Sequence, residues 1–388
     1  MNLVYVTHAY PRSKGDIAGA FIECLAVALR HRGHSIRVIA PSDRGGGGEE
    51  ELNGIPVSRV RYASARRETL AYTGTMVEGA RSLTGGIAAA NLVRVQAAET
   101  KRLCRMEKID VVHAQWWIPG GMSAWWARLK RVPYIVTVHG TDMRILERSA
   151  IARGLARRVF RGAAAVTAVS SYLAERVAHV AGIDSSSITV QPMPIEVSRF
   201  DRTSRGGAGI VSVGRLTKQK NLGVVLQAMA RLRERNIDIP LRLVGDGPER
   251  QNLNAQAKQL NLSDNVEFVG EVEPSRVPDA VGDADVSVFT ATQEGFGLAA
   301  AESFMLGIPV VALQAGGGVK DVVPASGAGR LVQGNPEDVA TAIADLLQDV
   351  QARQLAAAQG AELKRQFKPD AVAAVYESVY EHAAASRR

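Results

Sequence analysis

Short β-branched runs alternate with helical stretches along the whole chain, in two successive series. The first series of runs falls at 3–6, 35–40, 57–61, 109–114, 134–138, 164–169 and 188–191. The second falls at 210–213, 241–244, 266–269, 286–289 and 309–313. Strands apolar on both faces need cover on both faces, and an intervening helix supplies it, so the alternation predicts α/β parallel sheets with crossover helices. A first helix is expected over about 19–32 with Gly33 ending it, and Leu222, Val225, Leu226, Met229 and Leu232 recur at helical spacing. Between the series lies a stretch rich in Pro, Ser, Arg and Gly at 192–209. The expected organisation is therefore a domain over 1–195, a linker near 195–207, a second domain over 208–368, and a final helical segment over 369–388. At 388 residues each domain can bury its own core. The glycines at 45–48 and the acidic run after them read as a flexible loop.

Composition removes several function classes. The two cysteines, Cys24 and Cys104, provide neither a disulfide framework nor a metal cluster and suit a reducing cytoplasm. The opening MNLVYVTHAYPR reads as a first strand rather than a leader, and no apolar run reaches spanning length, so a soluble or peripheral protein is expected. Charge is unevenly divided. Residues 1–200 carry 27 Lys and Arg against 16 Asp and Glu, a net of +11, and the remainder 20 against 23, a net of −3. A basic first half prefers an anionic partner. Zinc-finger spacing, an RNA-recognition motif and a basic zipper are all missing, so no nucleic acid is expected and phosphate-bearing lipid or glycan fits better. Arg59, Arg61, Arg66 and Arg67, then Lys101, Arg102 and Arg105, with Tyr62, Leu103 and Met106 among them, are candidates for an interfacial surface on anionic membrane.

The chemistry is concentrated in two segments. In QEGFGLAAAESFMLG, 293–307, Glu294 and Glu302 flank a turn at Gly297 that leads into a helix, whose N–H groups and dipole favour a phosphate. In 214–220, Gly214-Arg215-Leu216-Thr217-Lys218-Gln219-Lys220, an apolar run gives way to a turn with cations suited to a diphosphate. Arg215 offers a planar fork and Lys220 a compact charge. His139, in Thr137-Val138-His139-Gly140-Thr141-Asp142, ends an apolar strand at the edge where open α/β sheets bind ligands.

Taken together, the E-x7-E pair Glu294/Glu302 with its intervening Gly-Phe-Gly, the Arg215/Lys220 pair, Val244-Gly245-Asp246-Gly247-Pro248 and the 137–142 segment resemble the family-four retaining glycosyltransferases over nearly the whole chain. The resemblance implies a GT-B fold of two Rossmann-like domains facing across a cleft, with the acceptor on the first and the nucleotide sugar on the second. The terminal helix would cross back onto the first domain. It further implies that Arg215, Lys220 and Gly214 attend the diphosphate, that Glu302 accepts hydrogen bonds from the ribose hydroxyls, and that Glu294 and His139 border the donor sugar. Backbone groups of Phe296, Gly297 and Leu298 would complete the donor site, and Gly19 would approach the diphosphate from the first turn. Trp116 and Trp117 are candidates for the acceptor side, as is Asp142, which also reads as a turn cap. Trp125 and Trp126 read as helix packing. The implied reaction is metal-independent, needs no cofactor, and uses a UDP- or GDP-linked sugar with a glycan or lipid-linked acceptor at the inner face of the membrane.

Two segments depart from the family pattern. Met193-Pro194-Ile195-Glu196 replaces an Asn-Gly-hydrophobic-Asp, and Gly317-Gly318-Val319-Lys320-Asp321 ends in a shorter carboxylate than the family's Gly-Gly-x-x-Glu. A nucleotide-sugar epimerase of the same fold and a non-catalytic nucleotide-binding module are the competing readings. The first would act on donor alone. An oxidoreductase is disfavoured because no G-x-G-x-x-G opens a helix after a strand.

Overall fold

The computed structural model describes residues 1–386 apart from 73–75, 81, 128, 130 and 324–326, so the last two positions of the 369–388 segment lie outside the described residues. The chain separates into two compact units, one made of Met1–Ile195 with Lys368–Arg388 and one of Glu196–Phe367. It passes from one to the other at 195–196 and returns at 367–368. The linker expected at 195–207 is not a separate segment. Phe200 is fully buried and the Ser204 N–H donates to the Leu306 carbonyl, so these residues belong to the second unit.

The first unit is built on eight strands: β1 Asn2–Val6, β2 Ser35–Pro41, β3 Gly48–Leu52, β4 Ile55–Val60, β5 Val111–Gln115, β6 Tyr134–Val138, β7 Ala165–Ala168 and β8 Thr189–Val190. They are ordered β3-β4-β2-β1-β5-β6-β7-β8. All neighbours are parallel except β3, which runs antiparallel to β4. This corrects the loop expected after Gly48. Asn53 and Gly54, both with positive φ, make the two-residue turn whose twist suits a hairpin, and the Glu49-Glu50-Glu51 run lies on a sheet edge where charge blocks further pairing. The chain winds outward from β1 on one side and then resumes beyond it with β5, so β1 and β5 define a switch point.

The C-terminal helix Pro369–Ala385 belongs to this unit. It sets Val372, Tyr376, Val379, Tyr380 and Ala383 into the same core as Leu3, Tyr5, Ile22 and Val111. Each such fully buried apolar side chain contributes roughly 2 kcal/mol. At the rim Glu377 accepts from Arg32 at 2.5 Å and contacts His34 at 2.7 Å.

The second unit has six parallel strands: β9 Ile210–Val213, β10 Leu241–Val244, β11 Val266–Gly270, β12 Val286–Phe289, β13 Val310–Leu313 and β14 Gly329–Val332. Their order is β11-β10-β9-β12-β13-β14, with the switch point between β9 and β12. The helix Leu222–Glu234 buries the apolar stripe expected of it, Leu222, Val225, Leu226, Met229 and Leu232. Among the described residues no helix is long and apolar enough to cross a membrane.

The interfacial surface expected on the first unit is corrected in part. Arg59 is buried. It pairs with Glu50 at 2.7 Å and donates to the carbonyls of Tyr10 and Pro11 and to the Tyr72 hydroxyl, which makes it an anchor for the segment after β1. Tyr62 and Leu103 are also buried. Arg61 pairs with Glu68, and Arg102 with Glu99 and Glu49.

Candidate functional site

In the second unit a cavity of about 280 Å³ opens at the C-terminal ends of β9 and β12, lined by Val213 and Gly214 on one side and Phe289, Ala291 and Glu294 on the other. Its remaining walls include Lys220, Gly297, Leu298, Ala299, Glu302 and Val319. Lys220 and Glu294, 74 residues apart in sequence, meet there, with the Lys220 Nζ 2.5 Å from the Glu294 Oε1. Each is held from behind. The Thr290 hydroxyl at the end of β12 donates to the Lys220 carbonyl at 2.9 Å, which fixes the short turn Lys218–Lys220. The Glu294 N–H donates to the Gly316 carbonyl at 3.0 Å and its carbonyl accepts from the Gly318 N–H at 2.9 Å.

Gly297 starts the helix Leu298–Met305 with φ 95°, and a Cβ there would lie 2.9 Å from Val319 Cα. Only glycine fits both constraints, and the first N–H groups of the helix are thereby brought to the cavity wall. On the same helix Glu302 also lines the cavity. Burial pushes its carboxyl up to about 7, opposed by the positive charge of Arg199. A carboxylate raised this way is short of donors, and a vicinal diol would supply two.

Of the other expected donor residues, Arg215 lies off the cavity wall and Phe296 packs its ring. Arg215 is exposed on the turn after β9 and does not line the cavity. The Phe296 ring packs edge-on against Phe367 at 5.4 Å, so only its backbone is available.

In the first unit, His139 directly follows β6. Its ring lies against Trp116 at 4.4 Å and Phe21 at 5.1 Å, and Nε2 is 2.8 Å from Gln115 Oε1. Burial, reinforced by His8, lowers the ring's pKa to about 3, so it is neutral at pH 7. Gly19 begins the helix Ala20–His31 with φ 75°, and a Cβ there would lie 2.3 Å from the Ala9 carbonyl oxygen. Glycine alone permits that approach.

Of the acceptor-side candidates, Trp117 packs into the core and Asp142 takes its other reading, a cap on the turns. Trp117 is 1% exposed and its indole donates to the Asp142 carbonyl at 2.8 Å, so it packs and braces instead of facing a ligand. Asp142 is itself buried. One oxygen accepts from the Trp117 N–H at 2.9 Å and the other from the Gly140 N–H at 3.1 Å, so the carboxylate ties the loops after β5 and β6 together. Burial raises its pKa to about 6 despite these bonds. Trp116, 7% exposed, packs beside His139 and its indole donates to the Thr141 hydroxyl at 3.2 Å, whereas Trp126 is exposed.

Sequence reasoning missed two contributors and read a third only as a departure from the family pattern. Val319 and the Gly317-Gly318 turn clamp the Glu294 segment, Gln115 holds His139, and Arg199 faces Glu302. The glycine pair was a visible signal. The other two depend on tertiary contact and had none.

Residues 196–363 match the family described as "Glycosyl transferases group 1", and residues 18–194 match "Glycosyl transferase 4-like domain". With both halves accounted for, the chain belongs to the group 1 glycosyltransferases of GT-B fold. It is similar to the putative teichuronic acid biosynthesis glycosyltransferase of Bacillus subtilis, 27% identical over 341 residues that cover 82% of each chain. Among solved structures, sucrose-phosphate synthase from Thermosynechococcus elongatus superposes with a TM-score of 0.79 at 20% identity, covering all of both chains. The Anabaena protein HepE in complex with UDP superposes with a TM-score of 0.73 at 19% identity, over 98% of this chain and 100% of that one.

Proposed function

We propose that this glycosyltransferase moves a sugar from a nucleoside diphosphate donor, held in the β9/β12 cavity, to a glycan or lipid-linked acceptor with retention of anomeric configuration. The observation that carries the reading is the convergence in one cavity of Lys220, Glu294, the helix start at Gly297 and Glu302. Lys220 and the helix N-terminus meet the diphosphate as the bond from its oxygen to the sugar C1 breaks, stabilising charge as it develops. Glu302 accepts from the ribose hydroxyls. Glu294 borders the sugar and offsets positive charge at C1. The acceptor oxygen bonds C1 on the face the diphosphate leaves, and its proton passes to the departing diphosphate oxygen. With the phosphate charge met by Lys220, Arg215 and backbone amides, the reaction proceeds without a metal ion.

UDP is the favoured nucleotide, supported by the UDP bound in HepE. A surface-polysaccharide acceptor is supported by the teichuronic acid relative. A cytoplasmic enzyme resting on anionic membrane is supported by one exposed face of the helix Leu83–Met106. Leu83, Ile87, Arg94, Lys101 and Arg105 follow one another there at helical spacing. Product NMR after incubation with donor and acceptor in EDTA tests the reading. A retained anomer formed only when acceptor is present supports it; an inverted product, or donor isomerised without acceptor, contradicts it.

A further inference from the structure

The helix Ala150–Gly162, which lies in the crossover from β6 to β7 in the first unit, is divided by chemistry along its length. Ala152, Ala156, Val159 and Phe160 are buried against the unit. Its exposed side holds Arg153, Arg157, Arg158 and Arg161, and the helix contains neither an acidic residue nor a lysine. Arg153, Arg157 and Arg161 recur at every fourth residue, so they stand on one ridge about 12 Å long, with Arg158 beside it.

These charges are not neutralised within the unit. Arg153 donates to the Leu146 carbonyl at 2.8 Å and Arg161 to the Ala181 carbonyl at 2.7 Å, so both are held in place by neutral partners with their charge intact. Glu147, on the segment before the helix, is taken by Arg176 at 2.7 Å. Among the described residues none of the four arginines forms a salt bridge. Two large apolar side chains flank the ridge. Ile151, 78% exposed, stands at its start, and Trp126, 56% exposed, closes the short helix Met122–Trp126. A Cβ at Gly162 would lie 3.3 Å from the Trp125 ring, which sets the end of that short helix beside the Arg161 end of the ridge.

We propose that this arginine ridge binds an acidic glycan and serves as an extended acceptor subsite on the first unit. Its use in catalysis rests on the proposed sugar transfer; the binding itself does not. Each guanidinium presents a planar fork matched to a carboxylate or phosphate, and a row built of arginine alone favours such paired contacts over diffuse attraction. An exposed indole offers a flat face to the C–H face of a pyranose. An interfacial helix turns its apolar side to the lipid, whereas this one has turned that side to the core and leaves a line of charge outside, which fits a charged polymer better than a bilayer. The crossover helix returns against the direction of β6, so a chain lying along the ridge leads from the strand ends back along the flank of the unit.

Calorimetric titration of a short oligogalacturonate, with a maltooligosaccharide of equal length as the uncharged control, tests the ridge. Salt-sensitive binding of the first and none of the second is expected. Arg157→Glu with Arg158→Glu should weaken it about tenfold or more, Arg157→Lys with Arg158→Lys should keep part of it, and Trp126→Ala should weaken it several-fold. Both arginines are exposed, so the melting temperature and the affinity for UDP should be unchanged in these variants. Oligogalacturonate left unbound at low salt, or bound equally by the double glutamate variant, would overturn the proposal. So would phosphatidylglycerol vesicles that bind and are released by the same substitutions while the oligogalacturonate does not bind, since the ridge would then belong to the membrane. The expected glycan binding in a protein that takes no UDP would uphold the ridge and strike only the nucleotide-sugar reading.

Discussion

Lys220 and Glu294 neutralise each other across 2.5 Å at the mouth of β9 and β12, so a diphosphate entering this cavity competes with a carboxylate for the same ammonium. On the proposed reading, binding exchanges one anionic partner of Lys220 for another and frees Glu294 to face the sugar. Glu294→Gln should therefore tighten free nucleoside diphosphate while lowering turnover, since the amide keeps the shape but gives up the charge. Calorimetric titration of the diphosphate and steady-state rates check the two halves. Weaker diphosphate binding in Glu294→Gln would show that the pair does not open for the ligand.

Lys220→Ala and Arg215→Ala are each expected to lower turnover by about a hundredfold or more, because losing one preorganised charge stabiliser costs roughly 2.7–4 kcal/mol at the transition state. Arg215 is the sharper case, since it is exposed and lies off the cavity wall. A near-normal rate in Arg215→Ala would confine the diphosphate contact to Lys220 and the helix amides.

Glu302, raised to about 7, sets a pH dependence with a definite sign. Between its unfolded value near 4.3 and about 7 the folded state holds the proton more tightly, so this group's contribution to stability falls as pH rises through that window and stays low above it. Glu302→Gln should accordingly raise the melting temperature at pH 8, with the gain fading toward pH 5. A uniform shift at both pH values would place the effect elsewhere.

Much of this could be read from the sequence, and the exceptions share a physical cause. All twelve expected runs became strands, the central ones because parallel strands buried on both faces are continuous apolar segments. The edge strand Gly48–Leu52 has no apolar face to announce it; its only signal was the Asn53-Gly54 turn. The strand Gly329–Val332 opens on glycine and is only partly buried, so it also carried little pattern. At the site, Glu294, Gly297 and Glu302 are local in sequence and were found together. The Lys220–Glu294 pair, the burial of Arg59 and Trp117, and the Gln115 bridge depend on residues brought together by the sheet, which composition and spacing do not encode.

The exposed stripe Leu83, Ile87, Arg94, Lys101 and Arg105 predicts salt-sensitive binding to anionic vesicles. Co-sedimentation at low and high salt checks it, with Lys101→Glu and Arg105→Glu together expected to reduce the bound fraction several-fold. Equal binding to neutral vesicles would remove the electrostatic part.

Titration of UDP into the wild-type protein and into Glu302→Ala, followed by calorimetry, bears most directly on a nucleotide-sugar site at the β9/β12 switch point. Saturable 1:1 binding to the wild type, weakened about tenfold or more in Glu302→Ala, is the predicted result. Equal affinity in both proteins would contradict the site, as would the absence of binding by UDP, GDP and ADP alike.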